Sequence, residues 1–536
     1  MARAASMQTR PAYSYARLSP FAYSLTRVAL SMLDRVVFVL SRYLMLSGVT
    51  RVAGLVLCLG AGGSAVAAPM TLSNLASLNR HAQVSAFVMN LSDRSVIAEL
   101  NADQRLRPAS ASKLYAASAA LQQFGSDHRF TSRFTSQAPV AGTTLKGDLV
   151  FVGGGDPALD TPALRTLVAR LAGRGISTIT GDLVIDDGLF GPVPCLTTDR
   201  CSARQRSSHA YSAPLSAAGV NFGTVNVTLY PGESPGRKSR VVLQPAELPG
   251  YRIDNRVTTV ARGGRAAVSA WRTYESGVST LHTRGKLPVG YGAYDFQRGV
   301  ANPARETANM LATLLREADI RVQGSVRTQS TDYDSHGALL AEVKSETLAE
   351  QLIPMLAYSN NYMADTLTLD VAADSGYNLP LTLPRASQAL EALADRADAL
   401  AYGSAGNGSD AAFTSGSGLS LGNNISARDL VALLDYMYHQ DALFPAFYGA
   451  IPVPLSAPSR TLKRGNFDFQ TRIVAKTGTL SEPVTVRALA GYLRLSNGGF
   501  AAFAVLINGT KDNPALTYQQ TVTAYQHDLE AILAAY

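Results

Sequence analysis

Pro108-Ala109-Ser110-Ala111-Ser112-Lys113-Leu114 holds the one S-x-x-K of the chain. A serine hydroxyl is a weak nucleophile until a base takes its proton. A spacing of three places both side chains on one face of a helix. If Ser110 opens a buried helix, its hydroxyl meets the amine of Lys113 in dry surroundings. Desolvation lowers an amine's pKa from about 10.4 towards neutrality, where it can act as a base. Pro108 ahead, the apolar run from Leu114 to Leu121 and Gly125 as a stop predict that helix. An isolated S-x-x-K fits a surface serine and lysine equally well, so the weight comes from two further segments.

The first is Tyr358-Ser359-Asn360-Asn361, an S-x-N. The stretch before it, Thr347 to Met355, reads as a helix with a capping box from Thr347 to Glu350. Pro354 is expected to end that helix soon after, leaving Ser359 and Asn361 on a connection, with a second helix beginning near Tyr362. The motif is weak alone, since Ser77-Leu78-Asn79 also matches it. The other segment is Lys476-Thr477-Gly478-Thr479, after Thr471-Arg472-Ile473-Val474-Ala475, which reads as a buried strand. Lysine supplies charge, the threonines supply hydroxyl donors, and the glycine removes a side chain that would block a ligand. Such a strand edge suits a carboxylate and its amide backbone. The chain has eight lysines against forty arginines, yet lysine persists in both motifs.

In this order, S-x-x-K, S-x-N and K-T-G form a known signature. The chain resembles the penicillin-recognising serine acyl-transferases, which include D-alanyl-D-alanine carboxypeptidases, transpeptidases and serine β-lactamases. Ser110 and Ser359 lie 249 residues apart. An insertion of that size is similar to the class C low-molecular-mass penicillin-binding proteins, D-alanyl-D-alanine carboxypeptidase/endopeptidases of the DacB type. Gly154-Gly155-Asp156-Pro157, Tyr211 to Ser216 (YSAPLS), Asn302-Pro303-Ala304 and Gly416-Ser417-Gly418-Leu419-Ser420 also look like that family. The likeness runs from about residue 71 to the C-terminus. Ser415 departs from it, because the family usually has Asp before G-S-G-L-S.

The resemblance implies an α/β (α+β) fold. A β-lactamase/transpeptidase-like catalytic domain, an antiparallel sheet flanked by helices, is split by a large α/β insertion with a nested β-rich domain. The expected boundaries are a leader at 1–67, catalytic parts at 68–128 and 337–536, and the insertion at 129–336. The resemblance also implies acyl transfer on peptidoglycan peptides ending in D-Ala-D-Ala. Ser110 would attack, Lys113 would be the base, and Ser359 would relay a proton from Lys113 to the leaving amine. Asn361 would hold the substrate amide and orient Lys113. Lys476, Thr477, Gly478 and Thr479 would receive the terminal carboxylate, with N–H groups of Ser110 and Thr479 as the oxyanion hole. β-Lactams would acylate Ser110, and no metal or organic cofactor is called for. The rivals are a serine β-lactamase or esterase on the same scaffold, and a catalytically inactive cell-wall-binding protein.

The first 67 residues carry seven arginines and one aspartate, +6 of the chain's +8. The basic balance thus belongs to the leader, and no nucleic-acid partner follows from it. Arg51, the apolar stretch from Val52 to Leu59 and the small residues up to Ala67 read as a signal segment with an A-x-A cleavage site. The expectation is an exported protein, periplasmic or extracytoplasmic, cleaved near Ala67, with Met1 or Met45 as the start. A tether through residues 28–46, and with it a peripheral membrane contact, stays open, although Asp34, Arg35 and Arg42 weigh against it. Cys195 and Cys201 then remain, and their spacing in an exported context favours a local disulfide.

Strands are predicted at 83–90 and 96–100, and a C-terminal hairpin at 486–495 and 500–507 turns at Asn497-Gly498-Gly499. A helix of roughly fifteen residues follows. Within the insertion, Gly147-Asp148-Leu149-Val150 and Gly181-Asp182-Leu183-Val184 open two similar strands around a helix at 162–173. Asn302-Pro303 caps another helix, and a strand is expected at 320–326. A β-rich piece covers 221–287. Asp156, Asp186 and Asp187 read as turn caps, with one near the substrate's peptide stem as the alternative.

Overall fold

The computed structural model describes residues 68–195, 197–244, 248–330, 337–403, 409–459 and 461–536. The leader expected at 1–67 lies outside them. Val486–Arg494 and Phe500–Asn508 are apolar along nearly their whole length, the pattern of strands buried on both faces. They form the centre of a five-stranded sheet. Its order is Ile473–Leu480, Val486–Arg494, Phe500–Asn508, Gln83–Asn90, Val96–Leu100, and every pairing is antiparallel. The first hairpin of the described chain thus pairs with its last strands.

Side chains alternate across a strand, and the two faces take different neighbours. Ala488, Ala490, Ala502 and Ala504 belong to one core cluster with Leu114, Leu352, Leu367 and Leu430. These small residues let the helices Lys113–Phe124, Leu348–Ala357, Asn361–Asp374 and Ala427–Tyr438 approach closely. Leu489, Phe503, Val505 and Ile507 face the other way, against Leu529, Ile532 and Leu533 of the C-terminal helix Tyr518–Ala535. The Asp528 carboxylate of that helix accepts from the N–H groups of Asn74 and Leu75, joining it to the helix Ser73–Leu78.

The insertion carries a second five-stranded sheet, ordered Val326–Gln329, Leu183–Asp186, Leu149–Val152, Thr131–Ser136, Ala338–Lys344. The similar strands opened by Gly-Asp-Leu-Val lie side by side and parallel. Asp182 N–H donates to Asp148 Oδ1, and Ser325 N–H donates to Asp182 Oδ1, so one turn geometry repeats along the sheet edge. The helices Thr161–Gly173 and Pro303–Glu317 belong to this part, and Asn302 caps the second as expected. The β-rich piece contains Tyr251–Val260, Val278–Pro288 and Ala267–Glu275, with Tyr251–Val260 and Val278–Pro288 parallel.

Three expectations need correction. The strand Ala338–Lys344 pairs with Thr131–Ser136, so the insertion's sheet continues past residue 336, where the boundary was set. The segment expected as one strand at 320–326 is two, Arg321–Val322 and Val326–Gln329, in different sheets. Between them Gly324 lies so close to Gly181 and the Asp182 carboxylate that a Cβ would collide. The segment 471–475 is not all strand. Thr471 and Arg472 end the helix Phe467–Arg472, and the strand Ile473–Leu480 runs through Lys476-Thr477-Gly478-Thr479. Cys195 and Cys201 are disulfide-bonded. Among the described residues no helix is long and apolar enough to cross a membrane.

Candidate active site

Ser110 lies in a short 3-10 turn, Ala109–Ser112, and Lys113 is the first residue of the helix Lys113–Phe124 that continues it. Ala109, just before the serine, sits at φ 46°. A non-glycine residue in the left-handed region is strained, and such residues gather at functional sites. The turn is held where it is by backbone on two sides. A Cβ on Gly418 would strike the Ala109 carbonyl, and one on Gly478 would strike the Pro108 carbonyl. The glycine of K-T-G therefore makes room for the serine's own turn. The expectation had assigned its missing side chain to the ligand.

Lys113 is fully buried. Its Nζ lies 2.9 Å from Ser110 Oγ and donates to Asn361 Oδ1 at 2.7 Å and to the Ser417 carbonyl at 2.7 Å. An amine that spends two N–H groups on those acceptors keeps a lone pair for the serine hydroxyl. Burial, first, and the Lys476 charge, second, hold its pKa well below the ordinary lysine range, against an upward pull from Asp365. That is the state a base requires.

Helix Leu348–Ala357 has the Thr347–Glu350 capping box, as expected. It contains Pro354 and still continues to Ala357: the proline lacks only its own N–H donor, and its carbonyl accepts from Tyr358 N–H at 3.0 Å. Ser359 follows at φ 56°. Asn361 is not on the connection. It is the first residue of the helix Asn361–Asp374, whose N-cap is Asn360. Its Oδ1 meets Lys113, and its Nδ2 donates to the Tyr211 carbonyl at 3.2 Å. The expected relay partner of Ser359 was Lys113. Its Oγ instead accepts from Lys476 Nζ at 3.0 Å.

Lys476, Thr477, Gly478 and Thr479 lie on the outer strand of the first sheet. Among the described residues no other strand pairs with its outer edge, so an extended ligand can pair there beyond Ala475, whose N–H donates to the Pro452 carbonyl. Lys476 is 1 % exposed, and burial lowers its pKa to about 7. Thr477 is half-buried and Thr479 exposed. All three motifs thus converge, Ser110–Lys113–Asn361 on one side and Ser359–Lys476 on the other.

Sequence reasoning missed three contributors. Ser417 supplies a backbone acceptor, which side-chain chemistry cannot announce, although its G-S-G-L-S stretch had been noticed. Asp365 Oδ1 accepts from Ser417 N–H at 2.8 Å. Asn423 Nδ2 donates to Ser112 Oγ and to the Ser415 carbonyl, and its Oδ1 accepts from the N–H groups of Thr414 and Ser415. An aspartate amid the apolar positions of one helix was the signal for Asp365. Ser415, the departure from the family pattern, is buried, and its Oγ has no partner among the described residues. Asp156, Asp186 and Asp187 cap turns or bond serines, accepting from Ala158 N–H, Gly188 N–H, and Ser216 and Ser330 Oγ.

Residues 71–528 match the D-Ala-D-Ala carboxypeptidase 3 (S13) family. A D-alanyl-D-alanine carboxypeptidase of Actinomadura sp. (strain R39) is 29% identical over 435 residues, spanning 78% of this chain and 76% of its own length. The D-alanyl-D-alanine carboxypeptidase DacB of Haemophilus influenzae is 24% identical over 463 residues, spanning 83% and 90%. The crystal structure of penicillin binding protein 4 (dacB) from Haemophilus influenzae superposes with a TM-score of 0.69 at 22% identity, covering 86% of this chain and 99% of that one. The fold is therefore the β-lactamase/transpeptidase-like one. With its serine, lysine and asparagine gathered as described, the chain belongs to the D-Ala-D-Ala carboxypeptidase 3 (S13) family and is a serine-type carboxypeptidase.

Proposed function

We propose that Ser110 is the nucleophile and Lys113 its general base in cleavage of peptidoglycan stem peptides ending in D-Ala-D-Ala. Ser110 Oγ bonds to the penultimate carbonyl carbon while Lys113 takes the hydroxyl proton. The C–N bond then breaks, and the proton taken up by Lys113 passes to the departing amine through Ser359, whose Oγ also accepts from Lys476. Water hydrolyses the ester. The backbone N–H groups of Ser110 and Thr479 receive the oxyanion, each such donor being worth about 3 kcal/mol. Thr477 and Thr479 bond the terminal carboxylate, with Lys476 adding positive potential. Gly478 keeps that strand against the nucleophile's turn, and Asn361 holds the substrate amide. An extended substrate on the free strand edge serves a carboxypeptidase and an endopeptidase alike, since the two differ in what occupies the leaving side.

The observation that carries this reading is the buried Lys113 amine, 2.9 Å from Ser110 Oγ with two carbonyl acceptors behind it. β-Lactams would acylate the same serine and leave slowly, because their leaving group stays tethered. The same reading makes the protein an exported one, its leader removed near Ala67. It also divides the remainder into a split catalytic part and an insertion that runs to Lys344.

The test is intact-mass spectrometry after incubation with penicillin, beside Ser110→Ala. A stable added mass of one penicillin, absent in the variant, is expected. Rapid loss of penicillin with no adduct would point to a β-lactamase. Neither adduct nor loss would leave a binding protein with a dead site.

A further inference from the structure

Two charges lie behind Lys113 that the chemistry above leaves unused. Asp365 is on the helix Asn361–Asp374, and Arg200 is on the insertion's helix Thr198–Gln205. Their side chains are 0% and 3% exposed, with Arg200 Nη2 2.6 Å from Asp365 Oδ2. Taking two charges out of water is costly, and an apolar pair of similar volume often does as well for stability. The contacts of this pair point to another use.

Asp365 Oδ1 accepts from the Ser417 N–H, and the carbonyl of the same residue accepts from Lys113 Nζ. Ser417 stands between Gly416 and Gly418, the latter at φ 72°. Glycine leaves a backbone free to turn, so the direction of that carbonyl depends on what holds the peptide. On the other side, Arg200 Nη1 donates to the Ala213 carbonyl. Two residues earlier, the Tyr211 carbonyl accepts from Asn361 Nδ2, which orients the amide whose oxygen is the second acceptor for Lys113. Both acceptors of the amine are thus held from behind by one ion pair, which joins the insertion to the catalytic helices.

We infer that Arg200 and Asp365 are a positioning pair for Lys113: Asp365 aims the Ser417 carbonyl at the amine, and Arg200 cancels the carboxylate's charge so that the amine stays unprotonated. The inference rests on Lys113 acting as the base. The charged groups facing Lys113 are Asp365 from its helix, Arg200 from the insertion and Lys476 from the strand edge. Ser110, Asn361 and Ser417 meet it as neutral groups. Asp365 draws the proton onto the amine, while Arg200 and Lys476 repel it.

The signs follow. Asp365→Asn leaves two cations unopposed, so Lys113 loses its proton at lower pH. Arg200→Met leaves the carboxylate unpaired, so Lys113 keeps its proton to higher pH. The experiment measures the rate constant for acylation of the full chain by a chromogenic cephalosporin from pH 5 to 10. Relative to wild type, the acid limb is expected to move down by about one pH unit in Asp365→Asn and up by about one in Arg200→Met. It returns close to its original place in the double variant. Arg200→Lys keeps the cation, so its limb stays put while the rate falls, because the lysine cannot span Ala213 and Asp365 together.

Limbs that move in the same direction, or a lower rate with the limb unmoved in both single variants, would overturn the inference. If one single variant does not fold, the other decides beside Arg200→Lys: a limb displaced in its stated direction while that of Arg200→Lys stays put supports the inference, and an unmoved limb in the folded single variant overturns it. A wild-type chain that takes up no β-lactam would instead refute the reading of Ser110 and Lys113.

Discussion

Replacing Lys113 by methionine removes the base while keeping an unbranched side chain of similar length. Lys113 Nζ is the basic atom within hydrogen-bond reach of Ser110 Oγ among the described residues. General bases contribute about 10²–10⁴-fold. With no second base at the hydroxyl, acylation by a β-lactam is expected to slow by at least about 10³-fold, or about 4 kcal/mol in the barrier. The fold should survive. The substitution strands Asn361 Oδ1 and the Ser417 carbonyl, at about 1–3 kcal/mol each, but it also ends the burial of an amine that is 0% exposed. The two effects oppose each other, so net stability should change by no more than about 2 kcal/mol. Stopped-flow acylation kinetics beside a thermal melt measure both. A folded Lys113→Met that is acylated within tenfold of the wild-type rate would refute the assignment of the base.

Asp156 is buried, and that burial pushes its carboxyl up to about 7. A carboxyl raised in the folded state stabilises fully below its unfolded value, and that contribution is lost as pH rises through the folded one. Asp156→Asn should therefore gain in melting temperature relative to wild type between pH 4 and pH 8, and a difference that is flat with pH would count against this. Ser415→Ala deletes a buried hydroxyl without a described partner; the expected result is a gain of about 1 kcal/mol in chemical denaturation with acylation nearly unchanged, and a clear loss of stability would contradict it. Gly478→Ala sets a Cβ against the Pro108 carbonyl and 2.9 Å from Ala488 Cβ. Since a misplacement of about 1 Å can lower a rate about 10²-fold, acylation should fall by that order while secondary structure, followed by circular dichroism, is kept.

The three motifs were legible because each is a local pattern whose chemistry depends on residue type and short spacing. The S-x-x-K spacing put Lys113 beside Ser110, and the structure keeps them 2.9 Å apart. The C-terminal hairpin was legible for a similar reason, since strands buried on both faces must be apolar throughout and must turn at Asn497-Gly498-Gly499. The capping box at Thr347 and Glu350 follows a rule confined to four residues.

Other features rest on contacts between distant segments. Ser359 was expected to serve Lys113 but bonds Lys476, 117 residues away in the chain. The strand Ala338–Lys344 reads like any short apolar strand, and its membership in the insertion's sheet follows from pairing with Thr131–Ser136. Gly478 was assigned to the ligand, while its neighbour is the Pro108 carbonyl. Local patterning carried the identity of the reacting residues, because hydroxyl, amine and amide chemistry is written in residue types. The wiring around them came from packing. A backbone carbonyl such as that of Ser417 has no sequence signature, and the partner of a buried charge such as Asp365 is chosen by whichever element the fold lays against it.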